Sequence, residues 1–280
     1  TWVTAEKIRK AARLFAEIKP SMMEWGCAIE HTPACFQTVR ALLCLPSITG
    51  NIDQPGSWSF GMLPLPPFPQ LFDKMPMDQQ KKRLGYDDFK VLSGELAQLP
   101  SAHIPTIFNA IRTGEPYPVR TGFIFGNNAL STYGDVKTVF ETLMALDYLV
   151  VAELYMTPTA EIADLILPVA TWAEVDALPA VPFYGQNVIM AQQKTFQYAE
   201  CKQDEDIMVE ICRRLGTEHG QESPQEVYDS MLRSTLDFGW EELKQMGFYE
   251  PEFKWQKYKE NGFDTPTRKI ELYSTRLQEL

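Results

Sequence analysis

The segment from residue 119 to residue 170 constrains this chain more than any other. It holds three short runs of almost uninterrupted apolar side chains: Thr121-Gly122-Phe123-Ile124-Phe125, Tyr148-Leu149-Val150-Val151-Ala152 and Leu165-Ile166-Leu167, the last closed by Pro168. Between the first two lies a helix-length segment, Val136–Leu146, with Val136, Val139, Phe140, Leu143 and Met144 on one side. Between the second and third, residues 156–163 leave room for a turn and a short helix. A strand wetted on one face alternates in polarity, whereas a strand that is apolar throughout is covered on both faces. Strand, helix, strand in this order predicts an α/β fold, a Rossmann-like parallel sheet with flanking helices. Ligands of such sheets sit beyond the carboxyl ends of the strands. Those ends are Gly126–Ser131, Glu153–Thr159 and Pro168–Glu174.

The flanking sequence is less regular. A helix is expected directly after Thr4, which can cap it, with Ile8, Ala11, Ala12, Phe15 and Ile18 as one apolar stripe and Pro20 as its end. Residues 22–25 read as a strand, Phe36–Leu45 as a helix and Thr49–Asp53 as a loop. Six prolines between residues 54 and 76 predict an extended, irregular segment. Ile104–Arg112 reads as a helix stopped by Gly114 and Pro116, and Asp206–Leu215 as another stopped by Gly216. One or two more helices are expected in 224–247, and Ile270–Tyr273 alternates like a strand. This suggests a division into 1–55, 56–118, 119–220 and 221–280. The chain starts at Thr1 without a methionine and stops at Leu280 without tapering, so it reads as an internal piece of a longer polypeptide.

Charge and cysteine usage exclude several classes. With 26 basic and 37 acidic residues the net charge is −11, which disfavours nucleic acid or an anionic membrane as a partner held by the bulk field. Apolar runs fall short of the about 18 residues that a membrane span needs. This stretch carries no export signal, so the compartment, cytoplasmic or exported, stays open. Cysteines 27, 35, 44, 201 and 212 form no Cys-x-x-Cys, which argues against a zinc ribbon or an iron–sulfur cluster held by this chain alone. The three histidines are far apart, and no metal ligand is assigned.

Three constellations could carry chemistry. Gly126-Asn127-Asn128 offers an approachable backbone and small amides; it could equally be an ordinary turn. Glu153, at a strand end, could accept hydrogen bonds from a nucleotide and suits the adjacent N–H donors of guanine, or could be a solvated charge. In Met156–Pro168, Thr157 or Thr159 can cap a short helix and offer a hydroxyl to a phosphate, while Asp164 suits structural bonds to backbone.

This last string, followed by Ala170-Thr171-Trp172-Ala173-Glu174, resembles the molybdopterin oxidoreductases of the dimethyl-sulfoxide-reductase superfamily. Other segments resemble the family in the same order. Trp25–His31 is similar to its Trp-Gly-x-Gly segment, Leu45–Gly56 to its Leu-x-x-Leu-Thr-Gly-Asn-Ile-x-x-Pro-Gly stretch, and Gly126-Asn127-Asn128 to its Gly-x-Asn-Pro loop. Asp204 and the helix to Gly216 match another segment, and Thr265–Tyr273 resembles the strand leading to a C-terminal barrel. The resemblance implies a piece of a larger multi-domain enzyme that carries molybdenum or tungsten on two molybdopterin guanine dinucleotides. It implies two-electron chemistry on a small-molecule substrate, although some members are non-redox. The metal ligand, and cysteines for a 4Fe-4S cluster, would precede this segment, and an electron-transfer subunit is an expected partner. By matched position, Cys27 and His31 would stand near one dinucleotide. Gly126, Asn127 and Asn128 would line the other, Glu153 would meet its guanine and Asp204 would close the pocket; Thr157 and Thr159 are further candidates. The sequence departs from the pattern at Ala28, His31, Asn128, Glu153 and Glu205, where the family more often has Gly, Gln, Pro, Asp and Trp. Alone, the chain is expected to be catalytically inert and to bind cofactor weakly or not at all. The alternatives are a nicotinamide- or nucleotide-binding Rossmann domain, against which stands the lack of a Gly-x-Gly-x-x-Gly after any strand, and a non-catalytic scaffold of the same fold.

Overall fold

The computed structural model describes residues 2–59, 65–66, 74–97, 100–181 and 187–275. The chain forms two compact units, each discontinuous in sequence. One comprises residues 65–178 and 191–247; the other comprises 1–64, 179–190 and 248–280. The last sixty residues are thus shared out: 221–247 pack with the first unit and 248–280 with the second.

The first unit holds the expected parallel sheet. Its strands are β1 (Thr121–Phe125), β2 (Tyr148–Glu153) and β3 (Leu165–Pro168), in the order β1-β2-β3. Phe125 pairs with Ala152, and Glu153 pairs with Pro168. Only the middle strand meets the expectation of burial on both faces: Leu149, Val150, Val151 and Ala152 are all buried. β1 has one neighbouring strand and leaves Phe123 half in solvent. Val139 and Leu143 of helix Val136–Leu143 pack with Leu149, Val151, Ala129 and Ala160 into the core. Each such side chain removed from water contributes roughly 1.5–3 kcal/mol. Asp164 does what its position suggested. Its carboxylate accepts the Leu149 N–H at 2.7 Å, and its own N–H donates to the Leu149 carbonyl at 2.9 Å. Beyond β3, Val169 bridges in parallel to Lys202. Helix Asp204–Leu215 follows, two residues longer at its start than the apolar pattern indicated, and Gly216 ends it in the left-handed region. Helices Pro224–Arg233 and Trp240–Met246 complete the unit, joined by the Tyr228–Trp240 edge contact at 5.2 Å and by Arg233 reaching both Asp229 and Glu242.

The second unit departs further from the sequence reading. Helix Ala5–Glu17 forms as expected, with the Thr4 hydroxyl accepting the Lys7 N–H. Helix Cys35–Thr49 does not stop at Leu45 but runs through Pro46. Proline costs one helical hydrogen bond. Here the hydroxyls of Ser47 and Thr49 bond back to the carbonyls of Leu43 and Leu45 and brace the weakened turn. Residues 22–25 are extended but join no sheet; the Met23 carbonyl instead accepts the Trp58 indole N–H, and Trp58 lies against Trp25 at 4.6 Å. Ile270–Tyr273 likewise forms no strand. The Glu271 carboxylate gathers Thr267 and Thr275 and folds the backbone into bends. A small antiparallel sheet unforeseen from sequence joins β4 (Ala180–Val181), β5 (Val188–Met190) and β6 (Phe248–Tyr249).

In this unit two buried polar side chains, Asn51 and Asp53, tie their loop to distant segments. Asn51 is fully buried; its amide donates to the Phe15 carbonyl and its oxygen accepts the Ser21 N–H. Asp53, also fully buried, accepts the backbone N–H of Lys257 at 2.7 Å and its ammonium at 3.1 Å. The sequence leaves two readings for Trp58, Phe60, Phe68 and Phe72, loop aromatics packed on the core, which is the favoured one, or the lining of a substrate funnel; Phe60, Phe68 and Phe72 lie outside the described residues, as do Gly61, the prolines at 64, 67 and 69, and 276–280. Among the described residues, no helix is long and apolar enough to cross a membrane.

Candidate functional site at the carboxyl edge of the parallel sheet

Each candidate in the sheet unit owes its place to the register. Gly126 directly follows the Phe125–Ala152 pair, at φ +56°, where glycine alone is unstrained. Nothing lies within 4 Å of where a Cβ would be, so this backbone is open to a ligand. Asn127 and Asn128 come next and are half-buried. The Asn127 amide donates to the Tyr133 hydroxyl at 2.8 Å. Asn128 and Thr159 are tied to each other: the Thr159 hydroxyl donates to the Asn128 side-chain oxygen at 2.8 Å and accepts the Leu130 N–H at 3.1 Å. Thr159 is fully buried, so its hydroxyl is spent inside the fold and not offered to a phosphate. Of the two threonines, Thr157 is the cap of the turn Pro158–Glu161, accepting the Ala160 N–H.

Glu153 closes β2 one register step beyond Phe125 and binds the Leu154 N–H with one carboxylate oxygen at 2.8 Å. The Val169–Lys202 bridge brings the start of helix Asp204–Leu215 alongside the end of β3, which is paired to Glu153. Asp204 and Glu153 therefore share one edge and feel each other. The Asp204 carboxyl is raised above its ordinary value, first by partial burial, then by Glu205 and by Glu153. Gln203, which precedes it, donates to the Asp176 carbonyl and is bonded to the buried Tyr228 hydroxyl, itself pushed up to about 12 chiefly by burial. Sequence periodicity missed Gln203 and Tyr228 because their roles depend on contacts between segments.

A raised carboxyl favours the protonated form in the folded state. Its stability contribution is therefore best at low pH and declines as pH rises from the unfolded value to the raised one. Asp204→Asn is thus expected to be slightly more stable than the parent at pH 7, by about 0.5 kcal/mol because solvent screens the pair, and no different well below the carboxylate range. Melting curves at pH 3 and pH 7 check this; a destabilised variant at pH 7 would contradict it.

Cys27 and His31 belong to the other unit, where they begin and follow the turn Cys27–Glu30. Both are exposed, and Gly26 before them has open space where a Cβ would stand. The Trp25 indole N–H is fixed to Glu30 at 2.9 Å. Within each unit, then, the candidates cluster: Gly126, Asn127, Glu153 and Asp204 at the sheet edge, Cys27 and His31 around one turn.

The family and the fold have counterparts among known proteins. The profile of the molybdopterin oxidoreductase family matches residues 6–214. Formate dehydrogenase H of Escherichia coli (strain K12) is 27% identical over 273 residues, covering 89% of this chain and 36% of that protein. Dopamine dehydroxylase of Eggerthella lenta is 31% identical over 231 residues, covering 77% of this chain and 22% of that protein. The solved structure of acetylene hydratase from Pelobacter acetylenicus superposes with a TM-score of 0.81 at 24% identity, over 100% of this chain and 42% of that one. The chain thus spans less than half the length of each of these relatives.

Proposed function

The chain belongs to the molybdopterin oxidoreductase family, and we propose that it forms part of the cradle for the guanine dinucleotide tails of a molybdopterin cofactor. The observation that carries this reading is the gathering of Gly126, Asn127, Glu153 and Asp204 at one carboxyl edge of a parallel sheet. The donor set fits such a tail. Guanine presents adjacent N–H donors, and Glu153 retains acceptor capacity beyond its bond to Leu154. Gly126 lets the tail approach the main chain. Asp204 closes the edge opposite Glu153, while Asn128 holds the loop in shape through Thr159. Cys27 and His31 face a second dinucleotide by matched position.

The cofactor, when bound, supplies two-electron chemistry at molybdenum or tungsten. This chain's part is to bind and orient it. The metal ligand, a 4Fe-4S cluster and contacts to an electron-transfer subunit are assigned to polypeptide outside these residues. Relatives are named for formate, dopamine and acetylene, so the substrate is a small molecule without narrower assignment.

Titration of the chain with millimolar GDP and ADP, followed by ligand-observed NMR, tests this. GDP is expected to bind about tenfold more tightly, since a carboxylate discriminates guanine by roughly 1–3 kcal/mol. Glu153→Gln should erase the preference by placing an amide against guanine's donors. A GDP-to-ADP ratio unchanged by Glu153→Gln would refute the assignment.

A further inference from the structure

The string Ala170-Thr171-Trp172-Ala173-Glu174 leaves one side chain that packing does not explain. Trp172 is 77% exposed although the backbone beneath it is held on every side. Thr171 and the buried Glu174 form a capping box around the turn Trp172–Glu174. The Trp172 carbonyl accepts the Gln192 amide at 2.7 Å, the Ala173 carbonyl accepts both the N–H and the hydroxyl of Thr195, and the Ala170 N–H donates to Lys202. Glu174 also takes the Tyr198 N–H, and its carboxyl is held below the usual range by these backbone bonds. A large indole is therefore presented to solvent from a fixed frame. Tyr155 is its counterpart on the adjacent loop, 75% exposed, with its carbonyl holding the Thr157 N–H. The two aromatics lie two and four residues beyond the register pair Glu153–Pro168, and neighbouring strands are about 4.8 Å apart.

We propose that Tyr155 and Trp172 flank Glu153 as a stacking slot for the purine whose edge Glu153 reads. The proposal rests on the tail-binding function above and adds to it the residues that supply base affinity. An aromatic face attracts any base, because every base has a π-face, whereas a carboxylate discriminates between bases. The two roles therefore separate in one experiment. With GDP and ADP as probes, Trp172→Ala and Tyr155→Ala are each expected to weaken both nucleotides about tenfold and to leave the GDP-to-ADP ratio intact. Trp172→Phe, which keeps an aromatic face, should restore most of the affinity. Glu153→Gln should change the ratio and not the ADP affinity. If both alanine variants bind GDP as the parent does, the slot is disproved while the Glu153 assignment stands. The slot is equally disproved if they bind GDP normally but alter the oligomeric state in gel filtration, since the aromatics would then contact protein. Ligand-observed NMR registers the weak binding expected of the chain alone, so if the parent shows no GDP contact at millimolar concentration, slot and tail-binding function fall together.

Discussion

Asp53→Ala is expected to lower the stability of this chain by about 3–5 kcal/mol, the range found when one partner of a buried ion pair is removed. Asp53 has no solvent exposure, and its carboxylate is the common acceptor for the main chain and the side chain of Lys257. Water cannot replace it without opening the packing around Asn51, Trp58 and residues 256–257. The Asp53 carbonyl also accepts the Gln256 N–H, so the backbone here is bonded twice over to the same distant segment. A 3 kcal/mol loss corresponds to a fall in melting temperature of roughly 6–12 °C for a chain of this size. Lys257→Met keeps the stem and leaves Asp53 buried and unpaired, so it should cost a similar amount. The double variant should cost much less than the sum. Thermal melts of the four proteins would refute the coupling if the losses simply added, or if Asp53→Ala melted within a degree of the parent.

Thr159→Val should cost about 2–3 kcal/mol and also damage ligand binding at a distance. The exchange keeps the shape of the side chain and removes only the hydroxyl. That hydroxyl joins Asn128, in the loop after β1, to Leu130 and to the turn after β2. Without it, the Leu130 N–H loses its partner and the Asn128 oxygen loses its donor, each worth about 1–3 kcal/mol when buried and unmet. The loop carrying Gly126 and Asn127 is then released from the neighbouring strand end. GDP affinity is expected to fall about fivefold, while Thr159→Ser keeps the hydroxyl and both properties. A Thr159→Val protein that melts and binds like the parent would show that the loop is held by packing alone.

These cases mark what was legible in the sequence. The parallel sheet was, because Leu149–Ala152 form a run too apolar to be half-wet, and such a run has few solutions. The identity of the sheet-edge loops followed from the strand ends. The internal consumption of Thr159 was not legible, since a buried threonine and an exposed one look alike until the loop across from them is placed. Nor was the exposure of Trp172, because tryptophan in an apolar string ordinarily signals core. Helix Cys35–Thr49 shows a local rule overridden: Pro46 predicts an end, but two hydroxyls placed one and three residues later repair the turn. The strand expected at Ile270–Tyr273 failed for a related reason. Alternation supplies the propensity, yet Glu271 finds threonine partners within four residues and the local bonds win.

The Asp53–Lys257 pair spans 204 residues of sequence, and the unit it secures takes its last segment from 248–280. The sheet-bearing unit, by contrast, is finished at residue 247. On a ribosome that releases the chain from its amino end, the sheet-bearing unit can fold as soon as it emerges, while helices Ala5–Glu17 and Cys35–Thr49 must wait for a partner made long afterwards. A messenger truncated just before the Lys257 codon would therefore yield a protein whose sheet-bearing half is sound and whose other half stays open to proteases, the earliest-made of these residues being the last to find their place.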